Sequence, residues 1–138
     1  MSKYILFLLL LVLTLPAKII SQEKEHPIDV IMDSCMEKDP STFGSIKCVE
    51  EASKLWDAEI EKYNKLLLGI LDAESVKIYK SAQAEWLIYK EKELANIDRI
   101  YSQIQGTMFL QIAAGEKLDI VKQRALQLQS YYDDLEKN

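Results

Sequence analysis

The sequence predicts an all-α protein: three long helices in an up-down-up antiparallel bundle, preceded by a short helix tied on by a disulfide. Two observations carry this prediction. Apolar residues recur at steps of three and four from Phe43 to Ile70 and again from Leu110 to Leu135, the period of a helix with one buried face. The 138-residue chain also has only three prolines and four glycines, and it has no alternating run that would argue for a strand.

The first segment is not part of the fold. Lys3 precedes an apolar run from Tyr4 to Leu15, Pro16 breaks it, and the small Ser21 follows, the layout of a secretory signal peptide. The alternative is a retained anchor, but the run is shorter than the ~20 residues a spanning helix needs. A lipoprotein would place a cysteine directly behind the run, whereas the first here is Cys35. The expected division is a signal peptide over 1–21 and one helical domain over 22–138.

Pro27 opens the short helix, with Ile28, Ile31, Met32 and Cys35 in helical register over about two turns. Asp39-Pro40 stops it, and Ser41 or Thr42 can cap the next helix. That second helix carries Phe43, Ile46, Val49, Ala52, Trp56, Ile60, Tyr63, Leu67 and Ile70 on one side. Asp72 with Glu74 and Ser75 supplies the turn into a third helix, whose stripe is Val76, Tyr79, Trp86, Ile97, Tyr101 and Ile104. Gly106 is available for a left-handed cap and Thr107 for the next N-cap. In the fourth helix Leu110, Ala114, Leu118, Val121, Ala125, Leu128, Tyr132 and Leu135 follow a near-heptad seam. Short links favour antiparallel neighbours within one chain; the alternative is an extended coiled coil between chains.

Cys35 and Cys48 both lie beyond the leader, and in an oxidising compartment an isolated pair closes into a disulfide, two free buried thiols being the alternative. A bond between them would clip the short helix across the start of the long one. Two cysteines at this spacing and a distant histidine do not make a zinc site.

Composition narrows the function. Loss of Lys3 and Lys18 with the leader leaves fifteen basic against twenty-two acidic residues, a net charge of −7. Nucleic acid binding draws its affinity from basic side chains and is not expected. The charge suits a cationic protein partner, or serves solubility alone. The only histidine, His26, sits in the polar lead-in and reads as a solvated surface residue, not a general base. Acid pairs such as Asp57 with Glu61, Glu91 with Glu93 and Asp133 with Asp134 lie near Lys54, Lys62, Lys90 and Lys92 and read as a salt-bridged surface. No phosphate loop, calcium loop or haem motif is present. No enzyme, cofactor or metal is expected. Tyr89, Tyr131 and Tyr132 cannot all share one narrow stripe, so one or two should be exposed, and exposed aromatics favour interfaces.

One longer pattern remains. Cys48, Ala52, Trp56 and Asp57 are followed by Ile60 and Tyr63, then by Ala82, Gln83, Trp86, Leu87, Tyr89 and Lys90, then by Gly106 and Thr107, and last by Arg124 and Leu128. In order and spacing this resembles the lysozyme inhibitor LprI-like N-terminal domain family of exported bacterial proteins, over about Asp33 to Leu135. The resemblance implies a helical fold and binding to lysozyme, a cationic enzyme, in the periplasm or outside the cell. It also implies that Ala52, Trp56, Asp57, Tyr63, Gln83, Trp86, Gly106, Arg124 and Leu128 serve the bundle and its interhelix contacts. Many relatives carry a second cysteine pair joining the third and fourth helices; Leu94 and Glu116 stand at those places here, and Val121 replaces a family threonine. Two rival readings are an immunity or accessory protein for another cell-wall-targeting partner, and a self-associating helical module. Sequence leaves the oligomeric state open.

Overall fold

The computed structural model describes residues 25–137, so the expected leader lies outside the described residues. They form four helices and no strand: α1 (Pro27–Lys38), α2 (Thr42–Ile70), α3 (Ala73–Tyr101) and α4 (Met108–Glu136). None is long and apolar enough to cross a membrane.

Local chemistry sets most boundaries. The Ser41 hydroxyl accepts from the Gly44 N–H to cap α2, and the Asp72 carboxylate accepts from the Ser75 N–H to cap α3. Asp39 in turn accepts from the backbone N–H and the hydroxyl of Ser41. Gly44 is buried against this corner, where a Cβ would overlap the Asp39 carboxylate. The Cys35–Cys48 disulfide, with Cα atoms 5.7 Å apart, locks α1 onto the first turns of α2.

The core is built chiefly by α2 and α4, with α1 laid against α2. Trp56, Leu67, Val121 and Leu128 are fully buried, joined by Ile28, Ala52, Ile60, Tyr63, Leu118 and Ala125. Each large apolar side chain so buried contributes about 1.5–3 kcal/mol. By contrast α3 packs mainly on α4 and buries a single residue, Ile97. Between α2, α3 and α4 it leaves a cleft of about 460 Å³ lined in part by Ile46, Asp57, Lys90, Leu94 and Leu118.

Several sequence expectations need correction. The first helix is 12 residues long, about three turns instead of two, because Met36 adds a further contact to the core before Asp39 ends it. Phe43 leaves the predicted stripe and is 75% exposed, since it lies in the first turn of α2, beyond the reach of α4. Of the α3 stripe, Val76, Tyr79, Trp86 and Tyr101 are only partly buried, and Ile104 is exposed beyond the helix end. Helix α3 stops at Tyr101, so Gly106 does not cap it directly; its φ of +114° instead turns the link, a conformation glycine adopts at little cost. Thr107 occupies the N-cap position of α4 but makes no side-chain capping bond. At the two ends of the fourth stripe, Leu110 and Leu135 are exposed, and Ala113 is buried more deeply than Ala114.

His26 departs furthest from expectation. Its Nδ1 accepts from the Ile28 N–H at 3.2 Å, capping α1, and its ring lies 4.2 Å from that of Trp56. Pro27 supplies no N–H, so the first donor of α1 is at Ile28, where the imidazole can reach it. The histidine is a structural cap over the core.

Candidate functional site

The α3–α4 face gathers aromatic and polar side chains without burying them. The Arg124 guanidinium, on α4, lies 5.5 Å from the Trp86 ring centre on α3, and the Lys90 ammonium lies 5.5 Å from the same ring, both within cation–π reach. Arg124 Nη2 and Nε donate to Gln83 Oε1 at 2.6 and 3.2 Å, and Nη1 donates to Gln127 Oε1 at 2.6 Å. These bonds come from the helical spacing that puts Gln83 and Trp86 on one side of α3, with Arg124 and Gln127 opposite on α4. Partial burial lowers the Arg124 pKa from its ordinary value, partly offset by the Tyr79 and Tyr131 phenols nearby. Trp86, Tyr89, Ile120, Gln123, Arg124 and Gln127 line a concavity of about 210 Å³.

A second concavity, of about 510 Å³, opens at the α2–α3 turn and is largely apolar, with Leu67, Leu71, Ile78, Tyr79, Tyr131 and Leu135 in its wall. Tyr79 donates from its hydroxyl to Asn64 Oδ1, tying the start of α3 to α2, and burial raises the Tyr79 pKa. Tyr89 and Tyr131 are 52% and 47% exposed, whereas Tyr132 turns inward to within 6.0 Å of the Tyr63 ring. Two of the three tyrosines are therefore exposed, within the one or two that their spacing predicts.

The other residues singled out from sequence fall at separate places. Ala52, Trp56, Tyr63 and Leu128 lie in the core. Asp57 pairs with Lys90 across α2 and α3 at 2.6 Å. Gly106 is in the α3–α4 link. The fold brings Gln83, Trp86 and Arg124 together, with Trp86 packed against the core cluster that holds Trp56 and Tyr63. Leu94 lines the cleft between α2, α3 and α4, and Glu116 accepts from the Tyr101 hydroxyl beside the Asp98–Lys117 ion pair. Polar pairs thus join α3 to α4 where the resemblance placed a second cysteine pair. Ion pairing of the surface acids is seen for Asp57, and also for Asp29, Glu59 and Asp98. Sequence reading gave no role to Gln127 or Lys122. Gln127 had the advance signal of helical spacing, three residues beyond Arg124; Lys122, which pairs with Asp29 beside Trp56, had none.

Among the described residues no group of three or more His, Cys, Asp or Glu side chains could hold a metal ion. The arrangement offers a half-buried cation, ring faces and amide groups, which suit the recognition of a polar group on another molecule.

Comparison with known proteins bears on the same elements. The profile of the family described as "Lysozyme inhibitor LprI" matches residues 34–128, from the disulfide into α4. A crystal structure of an uncharacterised protein from Burkholderia thailandensis is similar, with 30% sequence identity and a TM-score of 0.76 over 80% of this chain. The chain spans only 55% of the length of that protein. No curated protein matches the present chain.

Proposed function

The chain belongs to the lysozyme inhibitor LprI family, and on that premise we propose that it is an exported envelope protein that binds and inhibits a lysozyme-type muramidase. The family match is the observation that carries this reading. In it, residues 1–21 are a cleaved signal peptide, 22–138 form one helical domain, and the protein acts in the periplasm or outside the cell by binding, without catalysis of its own. The three long helices run up, down and up, which the pairings of Asn64 with Tyr79, Asp57 with Lys90, Gln83 with Arg124 and Asp98 with Lys117 support.

A mature net charge of −7 favours encounter with a cationic enzyme, and the exposed tyrosines of the α3–α4 face favour an interface there. Lysozyme works with two carboxylates in a cleft, so inhibition requires blocking that cleft or engaging those acids. The family-pattern residues Ala52, Trp56, Tyr63 and Leu128 are assigned to the core in this reading, whereas Gln83, Trp86 and Arg124 belong to the binding face. The test is lysozyme turnover on cell walls with and without the purified, oxidised chain from Gln22, run beside calorimetric binding at low and moderate salt. Inhibition with saturable, salt-weakened binding is expected. Undiminished turnover and no heat at either salt would overturn the reading, and an immunity or accessory role toward another cell-wall-targeting partner would take its place.

A second reading, self-association, rests on the exposed Ile78, Leu87, Ile88 and Ile100 of α3, apolar side chains that a second copy would cover. A mass that rises with concentration in light scattering supports it; a constant monomer mass removes it.

A further inference from the structure

Four lysines and arginines among the described residues are partly buried: Lys90, Lys117, Lys122 and Arg124. The first three each pair with a carboxylate, of Asp57, Asp98 and Asp29 in turn. Arg124 has none within ion-pair distance among the described residues; its hydrogen-bond partners there are the side-chain oxygens of Gln83 and Gln127, both uncharged. This is unusual in a chain with a surplus of acids, because a half-desolvated cation gains most from a charged acceptor. The guanidinium carries five N–H groups, and three are engaged. One N–H on each of Nη1 and Nη2 is left, a number that matches the two oxygens of a carboxylate. The adjoining concavity of about 210 Å³, walled by Trp86, Tyr89 and Ile120, has room for a side chain carrying that group.

We propose that this concavity is a carboxylate-binding site, in which Arg124 takes an acidic group of the partner protein against the ring of Trp86. Gln83 and Gln127 are positioning residues that hold the guanidinium without neutralising it. The identity of the partner as a lysozyme rests on the function proposed above; the carboxylate chemistry of the site does not.

The experiment has a small probe and a protein probe. Titration of the full mature chain with N-acetyl-glutamate amide, followed by the NMR signals of the Arg124 Nε–H and the Trp86 indole N–H, should give saturable shifts that equal ionic strength of chloride does not give. The decisive variant is Gln127→Glu, which places a carboxylate at the atom Arg124 already contacts and so neutralises the cation from within while keeping the helix–helix bond. It should fold like the wild type by circular dichroism and lose the saturable shifts, and its affinity for lysozyme should fall about tenfold to a hundredfold. Arg124→Gln should do the same, and Arg124→Lys should recover only part. A lysozyme with both cleft carboxylates converted to amides distinguishes the source: wild-type affinity drops if the cleft supplies the group, and is kept if it comes from elsewhere on the enzyme. Saturable shifts without lysozyme binding would leave the site standing and overturn the partner. Lysozyme binding unaltered by Gln127→Glu, with no saturable shift, would overturn the site and leave the function.

Discussion

The two halves of this molecule are held by different means. Helices α1, α2 and α4 share a disulfide and a continuous apolar core centred on Trp56, Leu67, Val121 and Leu128. Helix α3 has the same length as α2 and α4 but buries only Ile97, and it is fastened by polar contacts such as Asp57–Lys90, Gln83–Arg124 and Tyr101–Glu116. Partly exposed ion pairs contribute little, and a hydrogen bond to a charged side chain adds only about 1.5–3 kcal/mol, against a whole apolar core in the other half, so α3 should be the less stable element. Stability is concentrated in one half and accessible chemistry in the other, which is the division expected of a scaffold that presents a binding face.

Breaking the strong half should have the largest effect. Trp56 is 1% exposed, and Trp56→Ala is expected to cost about 3–5 kcal/mol in denaturant unfolding. Its indole N–H is buried without a hydrogen-bond acceptor among the described residues, so Trp56→Phe, which removes that unsatisfied donor, should cost clearly less. Cys35→Ser, by opening a link across a sequence separation of 13, should lower stability by about 3 kcal/mol under oxidising conditions. Reduction of the wild type should match it; equal midpoints for oxidised and reduced protein would show that the clip adds nothing.

The weaker half gives a smaller and more local response. Ile97→Ala should cost about 2 kcal/mol and should speed amide exchange in α3 while leaving α2 and the middle of α4 protected. Uniform acceleration in all helices would mean that α3 is an equal part of one cooperative unit. At the α1–α2 corner, Gly44→Ala forces the Asp39 carboxylate away from Ser41 and should cost about 1 kcal/mol, whereas Gly115→Ala, with open space around its Cβ, should gain about 0.5–1 kcal/mol from helix propensity.

The smallest effect is one of pH. Hydrogen bonds from Ser75 hold the Asp72 carboxyl below its ordinary pKa of 3.8, and those from Ser41 do the same for Asp39. A folded pKa below the unfolded one means that these caps stabilise fully above pH 3.8 and lose their contribution as pH falls through the folded values. Asp72→Asn, which keeps a capping oxygen but cannot titrate, should flatten the stability profile below pH 4; an unchanged acid slope would remove Asp72 from the account.

Helix number and the α2 and α4 stripes were legible in the sequence because continuous steps of three and four leave few alternatives. The cysteine pair was legible because it stood alone. The looseness of α3 was not, since its stripe of Tyr79, Trp86 and Ile97 has the same period as a core stripe. Periodicity reports which residues share a face, and says nothing of how closely the neighbouring helix approaches. The His26 cap was hidden for a related reason: its acceptor role depends on Trp56, thirty residues away, to hold the ring in place. The Arg124 cluster was half visible. Gln83, Trp86 and Arg124 came from the family pattern, but the lack of an acid beside Arg124 among the described residues is a fact of three dimensions.

Hydrogen–deuterium exchange of the mature chain with and without saturating lysozyme distinguishes a partner that meets the α3–α4 face around Arg124, Trp86 and Tyr89 from one that meets the supporting α1–α2 half. Added protection is expected in α3 near Trp86 and in α4 near Arg124, with α1 and the start of α2 unchanged. Protection confined to the disulfide-linked end, with none at Trp86 or Arg124, would contradict this placement of the binding face.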